Sequence, residues 1–444
     1  MRVVPGSEED KRRRLPWSLA HYAFNAIFSQ CTFFGPVVPL FLAELGMAKN
    51  RIGLLFSLLP FSGLLALVVA RRAAAFGLKR TYALCWAARS TATAALLLVP
   101  WAASRWSPEA LFAYIGVVVA LFALCRAVGE TAFFPWFQEV VPPAIRGQFT
   151  ALSNITETSA SCAALVVAGY VLGQGGGLER FALLIGIGVA FGYLSVACLW
   201  PTPAETPGQD SQAALWPGIR AALGNRDFRL LLGGVALVTI NIQQGAFVPL
   251  FLREHAGFDE RQIVLLQTSY FAGIILSSYG WGWLADRRGP GPVMRAGLGL
   301  MALAPLGWAL LPYHHPWSYV LALAVVFVGG VAMVSWYVVM SQLLFVQVVP
   351  PAQRIEYMAV FYAWAGLVGG CSPLLAGQLL ERYRDFHLQW GALHLNAYTL
   401  LFLGGGVLAT CSLALLCRIQ LRPGEKDGRA AWQGQAAATG AEAG

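Results

Sequence analysis

Charge is what this chain has least of. Only 12% of its 444 residues are Asp, Glu, Lys or Arg, against about 25% in soluble domains. That excludes an ordinary water-soluble globule. The eight cysteines show no C-x-x-C pair and no Cys/His ligand spacing, so neither a metal nor a disulfide is expected. Most sit in apolar stretches, where cysteine packs as a small hydrophobe. There is no G-x-x-x-x-G-K phosphate loop and no nucleophile–base arrangement, so no cofactor, no ATP-driven step and no enzyme are expected. Basic residues outnumber acids 31 to 22. They are scattered, which argues against the clustered patch that nucleic acid requires.

What fills the chain is apolar. Hydrophobic residues make up 57% of it. A membrane-crossing helix needs roughly 20 apolar residues, and twelve runs qualify: 17–42, 52–70, 81–103, 109–138, 147–173, 178–200, 228–252, 262–284, 292–312, 317–346, 355–380 and 391–417. Barrel strands would read instead as alternating segments of about 10 residues. The two halves also repeat each other. Residues 38–44 read V-P-L-F-L-A-E and 248–254 read V-P-L-F-L-R-E; residues 140–146 read V-V-P-P-A-I-R and 348–354 read V-V-P-P-A-Q-R, at offsets of 210 and 208. The expected fold class is all-α, with twelve transmembrane helices in two pseudo-symmetric six-helix bundles. Such a chain places its binding site between the halves, near the bilayer midplane.

With both ends inside, the inside connectors hold 21 Lys and Arg and the outside ones 8, leaving Arg89 and Arg126 within spans. Positive connectors stay cytoplasmic, so an inner or plasma membrane protein with cytoplasmic termini is expected. The domains are a tail (1–16), a first bundle (17–200), a linker (201–227) marked by Pro201, Pro203, Pro207 and Gly208, a second bundle (228–418), and a disordered tail (419–444). No cleavable signal reads from the first residues.

A charge at mid-bilayer costs about 2.5–3.5 kcal/mol on insertion scales. Five ionisable residues lie within or near the ends of apolar spans, all in the first half: His21, Arg89, Arg126, Glu130 and Glu157. Arg126 and Glu130 stand i, i+4 on span 4 and share a face. Glu130 and Glu157 each lie about 15 Å from the inner boundary. Spans 4 and 5 are antiparallel, so a cluster of Arg126, Glu130 and Glu157 is expected. Two acids against one base leave one acid to carry a proton, which suits proton-coupled transport. Two other readings stay open: a structural ion pair, and direct binding of an anion by Arg126.

Polar stripes at helical spacing run along span 5 (Thr150, Asn154, Glu157, Ser161) and span 1 (His21, Asn25, Ser29, Thr32). The second half offers only neutral groups. The candidates for binding substrate are Asn25, Asn154, Asn241, Gln243, Gln244, Gln267, Trp336 and Tyr337. Polar contact between helices is the alternative for each.

Gly282-Trp283-Leu284-Ala285-Asp286-Arg287-Arg288-Gly289 resembles the G-x-L-A-D-R-x-G loop of the major facilitator superfamily. The V-P-P-A-x-R turns before spans 5 and 11 and Arg126 on span 4 resemble that family too. The likeness covers about residues 17–418. The first-half counterpart of the loop, 71–80, keeps Gly77, Lys79 and Arg80 but has Ala74 in place of the acid, whereas the family usually keeps the first copy better. The resemblance implies two bundles rocking about a central cavity, with Gly282, Asp286, Arg287 and Gly289 meeting Arg146 at an inside gate. A carboxylate at a helix start is stabilised by free amides and the macrodipole; an exposed loop ion pair worth little is the other reading. Arg354 and Glu356 would form the reversed counterpart, with Glu356 facing Arg71, Arg72 or Arg80.

The sequence thus points to a monomeric secondary transporter, proton-coupled, for a small polar or amphipathic solute in a lipid bilayer. A proton-driven drug or metabolite exporter and a non-transporting membrane sensor are the alternatives. If Glu356 locks the reversed gate, exchanging its charge with that of its partner should restore solute flux that either single reversal removes.

Overall fold

The computed structural model describes residues 8–141, 145–202, 215–350, 354–390 and 393–419. The first half holds α1 (Glu8–Cys31), α2 (Val37–Glu44), α3 (Lys49–Phe76), α4 (Leu78–Ala94), α5 (Val99–Ala103), α6 (Pro108–Val140), α7 (Arg146–Gly173) and α8 (Leu178–Ala197). A short helix, α9 (Leu215–Gly224), occupies the linker. The second half holds α10 (Arg226–Gln243), α11 (Val248–Phe251), α12 (Glu260–Arg288), α13 (Pro290–Ala309), α14 (Ser318–Gln342), α15 (Arg354–Arg382) and α16 (Ala397–Leu416). Counting α1–α2, α4–α5 and α10–α11 as one crossing each gives the twelve crossings. Nine stretches of the described residues are each long and apolar enough to span a membrane.

Packing repeats as the sequence does. In the first half α1 lies on α7 and α8, α6 lies on α3 and α4, and α4 lies on α8. In the second, α10 lies on α15 and α16, α14 lies on α12 and α13, and α13 lies on α16. Every pair has its counterpart, so the duplication extends to three dimensions. Polar caps restart the helices at the connectors: Ser107 accepts from the Ala110 amide with Pro108 at N1, and Asp259 with Gln262 and Asn396 with Thr399 form capping boxes.

One connector departs from the all-helical expectation. Strands β1 (His387–Trp390) and β2 (Leu393–Asn396) form an antiparallel hairpin before α16, pairing Leu388 with Leu395 and Trp390 with Leu393. The run H-L-Q-W-G-A-L-H-L-N alternates apolar and polar residues around a glycine, which is a hairpin pattern. Reading it as the start of span 12 missed that period.

The first helix of each half is broken at the same point in the repeat. Residues 32–36 separate α1 from α2, and the 3-10 turn Gln244–Phe247 separates α10 from α11. The repeated V-P-L-F-L explains the match. Proline lacks an amide hydrogen and is favoured in a first helical turn, and Pro39 and Pro249 each stand near the start of the second piece.

The halves meet where α3 lies against α15 and α7 against α12. The α3–α15 contact is backbone on backbone. A Cβ at Gly53 would overlap the Pro373 carbonyl, and one at Gly377 would overlap the Lys49 carbonyl. Overpacking such a contact costs about 1–3 kcal/mol. Gly377→Leu should therefore drive apart the ends of the halves that carry α2 and α11, seen as a longer distance between spin labels on the 45–48 and 257–259 connectors.

Candidate functional site

A cavity of 730 Å³ lies between the halves and is walled by both helix breaks. That is within the range of about 300–1,000 Å³ typical of small-molecule sites. The first half contributes Gln30, Phe33, Phe34, Gly35, Phe56 and Arg126; the second contributes Asn241, Gln243, Gln244, Gln267 and Tyr270, with Met301, Trp308, Met333, Tyr337 and Phe402 behind them. At Gly35 a side chain would overlap the Gln30 carbonyl, so the break needs glycine there.

Five expected substrate-binding residues line this space: Asn241, Gln243, Gln244, Gln267 and Tyr337. The other three are placed elsewhere. Trp336 is buried in the second-half core beside Tyr337, since neighbours on a helix point about 100° apart. Asn154 is exposed on α7, outside the lining. Asn25 turns into the first bundle, where its Oδ1 accepts from Trp86 Nε1 at 3.2 Å and from Arg89.

The stripe of span 1 faces α4 and α8 rather than the cavity. His21 Nδ1 lies 2.9 Å from the Ser195 carbonyl and Nε2 lies 2.8 Å from the Tyr82 hydroxyl. A carbonyl only accepts, so Nδ1 carries the proton and Nε2 accepts from Tyr82. Ser29 and Thr32 donate to the carbonyls of Asn25 and Phe28 at 2.8 and 2.7 Å. His21 thus fastens three helices together, while Ser29 and Thr32 bond back within α1.

Arg126 and Glu130 do pair, at 2.6 Å, and Arg126 stacks 4.8 Å above Phe34 at the cavity wall. Glu157 does not join them; among the described residues it forms no ion pair. The cause is an aromatic wedge. The Tyr22 ring of α1 sits between α6 and α7, against Phe133, Phe137 and Phe149 at centroid distances of 6.2, 6.5 and 6.4 Å. The second arginine of these spans does not meet Glu157 either. Arg89 is buried, 3.9 Å from Trp86 and 4.6 Å from Phe28, in cation–π contact with both. The first-half spans therefore hold two arginines against two acids.

At the expected inside gate, the side chains of Arg71, Arg72, Arg146, Asp286, Arg354 and Glu356 lie outside the described residues. Gly282 sits on α12, Arg287 is exposed with its guanidinium 4.6 Å from Trp283, and Gly289 ends α12 at a φ of 74° that suits glycine.

The opposite, distal face is closed by ion pairs between the halves. Glu44 of the first repeat pairs with Arg253 of the second. Glu254 of the second pairs with Lys49 of the first at 2.8 Å and accepts from Tyr398 at 3.0 Å. Arg180 binds Glu260 at 3.2 Å, and Arg253 also reaches Glu260 at 3.5 Å. The reading of the sequence missed this network. Its signal was one letter: Arg253 stands where the first copy has Ala43.

The Major Facilitator Superfamily family model matches residues 22–260 and 230–441. Solved structures with the same fold include the nucleoside transporter NupG, at 18% identity and a TM-score of 0.65 over 92% of this chain and 98% of that one. The xylose transporter XylE from E. coli, inward open, matches at 14% identity and 0.64 over 93% and 96%. A bacterial homologue of the iron transporter ferroportin, in an inward-facing state, matches at 12% and 0.67 over 93% and 98%. A comparison with curated protein sequences gives no match.

The distal pairs are partly buried, their side chains 13–36% exposed, so reversing one charge costs at least the roughly 0.2–1 kcal/mol of an exposed pair. Arg253→Glu should raise the population open at the distal face about two- to fivefold, and Glu44→Arg added to it should return much of that change. Labelling rates of a single cysteine placed beneath the pairs report both.

Proposed function

The chain belongs to the major facilitator superfamily, and on that premise we propose that it is a secondary active transporter of a small amphipathic solute, coupled to protons and working by alternating access. The observation that carries this reading is the cavity itself. It lies between two like bundles, at two mirrored helix breaks, below a face closed by exchangeable ion pairs. With both termini cytoplasmic, this is the inward-facing state, and the distal face is the outside. Broken helices at such a site leave polar backbone where a solute can use it.

Roles follow from position. Asn241, Gln243, Gln244, Gln267 and Tyr337 bind substrate, together with Gln30. Glu130 is held by Arg126 and fixes the local charge of the wall. Glu157, which lacks an ion-pair partner among the described residues, carries the proton, since an unpaired charge inside a span is costly. Asp286 with Arg146 closes the inside gate when the distal pairs part. The protein acts as a monomer in the inner or plasma membrane. The aromatic lining of Phe33, Phe34, Phe56, Tyr270 and Trp308 also favours a second reading, export of an amphipathic metabolite or drug.

Proteoliposomes test coupling and direction together. Solute-dependent proton movement should occur with the native chain. Glu157→Gln should abolish it, while Glu130→Gln should weaken solute flux at least tenfold by freeing Arg126. Solute flux without proton movement would make the protein a uniporter and Glu157 a structural residue.

A further inference from the structure

We propose that the cavity selects an uncharged ring compound bearing hydrogen-bond donors, such as a nucleoside or an aryl glycoside, over charged solutes of the same size. This names the substrate class of the site described above and rests on the transport reading for its biological meaning, though not for its chemistry. The inference stands on three observations.

The first is charge. Arg126 is the only charged residue in the described lining, and Glu130 neutralises it at 2.6 Å. A charged solute would enter a partly dry space with no counter-charge to meet it, at a desolvation cost that nothing there offsets. The second is the pair of breaks. Gln30 and Gln244 stand beside or in them, are 8% and 6% exposed, and line the cavity, and the Oε1 of each has no hydrogen-bond partner. Both oxygens are enclosed, that of Gln244 against Gly405 of α16; a buried acceptor left unmade costs about 1–3 kcal/mol, and turning each amide toward donors on a solute would remove that cost in both halves. The third is shape. On the second-half side the lining is largely apolar, with Met301, Trp308, Met333 and Phe402 offering surface on which a ring can pack. Donors therefore sit toward the two glutamines and the ring toward the second bundle.

Matched pairs of probes separate charge from shape: uridine against uridine 5′-monophosphate, and phenyl glucoside against phenyl glucuronide. Isothermal titration of the purified full chain should give binding of at least one neutral member at least tenfold tighter than its charged partner. Gln30→Met and Gln244→Met, which keep side-chain length and remove the acceptor, should each weaken that binding about tenfold without moving the melting temperature. If either variant melts early, Gln30→Asn or Gln244→Asn keeps an uncharged acceptor and should retain more of the neutral binding than the Met variant. Tighter binding of the charged members, no binding of any probe, or unchanged affinity in folded glutamine variants would overturn the proposal. Binding of a neutral probe without flux in proteoliposomes would sink the transport reading and leave the ligand class standing. Flux confined to charged solutes would do the reverse.

Discussion

Inside a membrane protein a charge must find a partner, and here the partners at the distal face are shared between halves. Glu44 and Glu254 occupy the same place in the repeat, yet neither pairs within its own bundle. Each takes its cation from the opposite half, Arg253 for one and Lys49 for the other. The pairs stand beside an apolar core shared by the halves, in which Phe41 of α2 and Phe251 of α11 are both buried. The groups are 13–36% exposed, so water still reaches them and can take the partner's place.

The two halves share a fold and divide the chemistry. The first bundle holds the ionisable groups, and it spends many of them on its own rigidity. His21 joins α1, α4 and α8, and Arg89 is packed between aromatic faces with Asn25 as its acceptor. The second bundle supplies amides and an apolar slot. Rigid charge on one side and neutral hydrogen bonding on the other is a sound division for a carrier, because the moving solute never has to be exchanged for a buried ion.

Much of the architecture was legible in the sequence because bilayer thickness and helical rise fix span length, and because the duplication is nearly literal around V-P-L-F-L. The family loop at 282–289 was also legible, and five of the eight residues expected to bind substrate line the cavity, since polar residues in second-half spans poor in charge have few other reasons to be there. Other features, the distal ion pairs among them, were not. The clustering of Glu157 with Arg126 was inferred from depth alone, and depth does not tell which side of α1 a group faces; the Tyr22 wedge decided that. Asn25 looked available because its competing partner, Arg89, is 64 residues away in the chain. The hairpin at 387–396 was lost because a short apolar run reads as the edge of a span when only total hydropathy is weighed.

The shared glutamates carry a further consequence. On the alternating-access reading, opening the distal face takes Glu44, Lys49, Arg253 and Glu254 from mutual contact into free electrolyte. There each gathers its own counter-ion atmosphere, with a Debye length of about 8 Å at physiological ionic strength. Dissolved salt therefore stabilises the opened arrangement and not the shut one. The ionic strength of the compartment that bathes this face becomes a control on how often the empty carrier presents itself there, without any ion occupying a site.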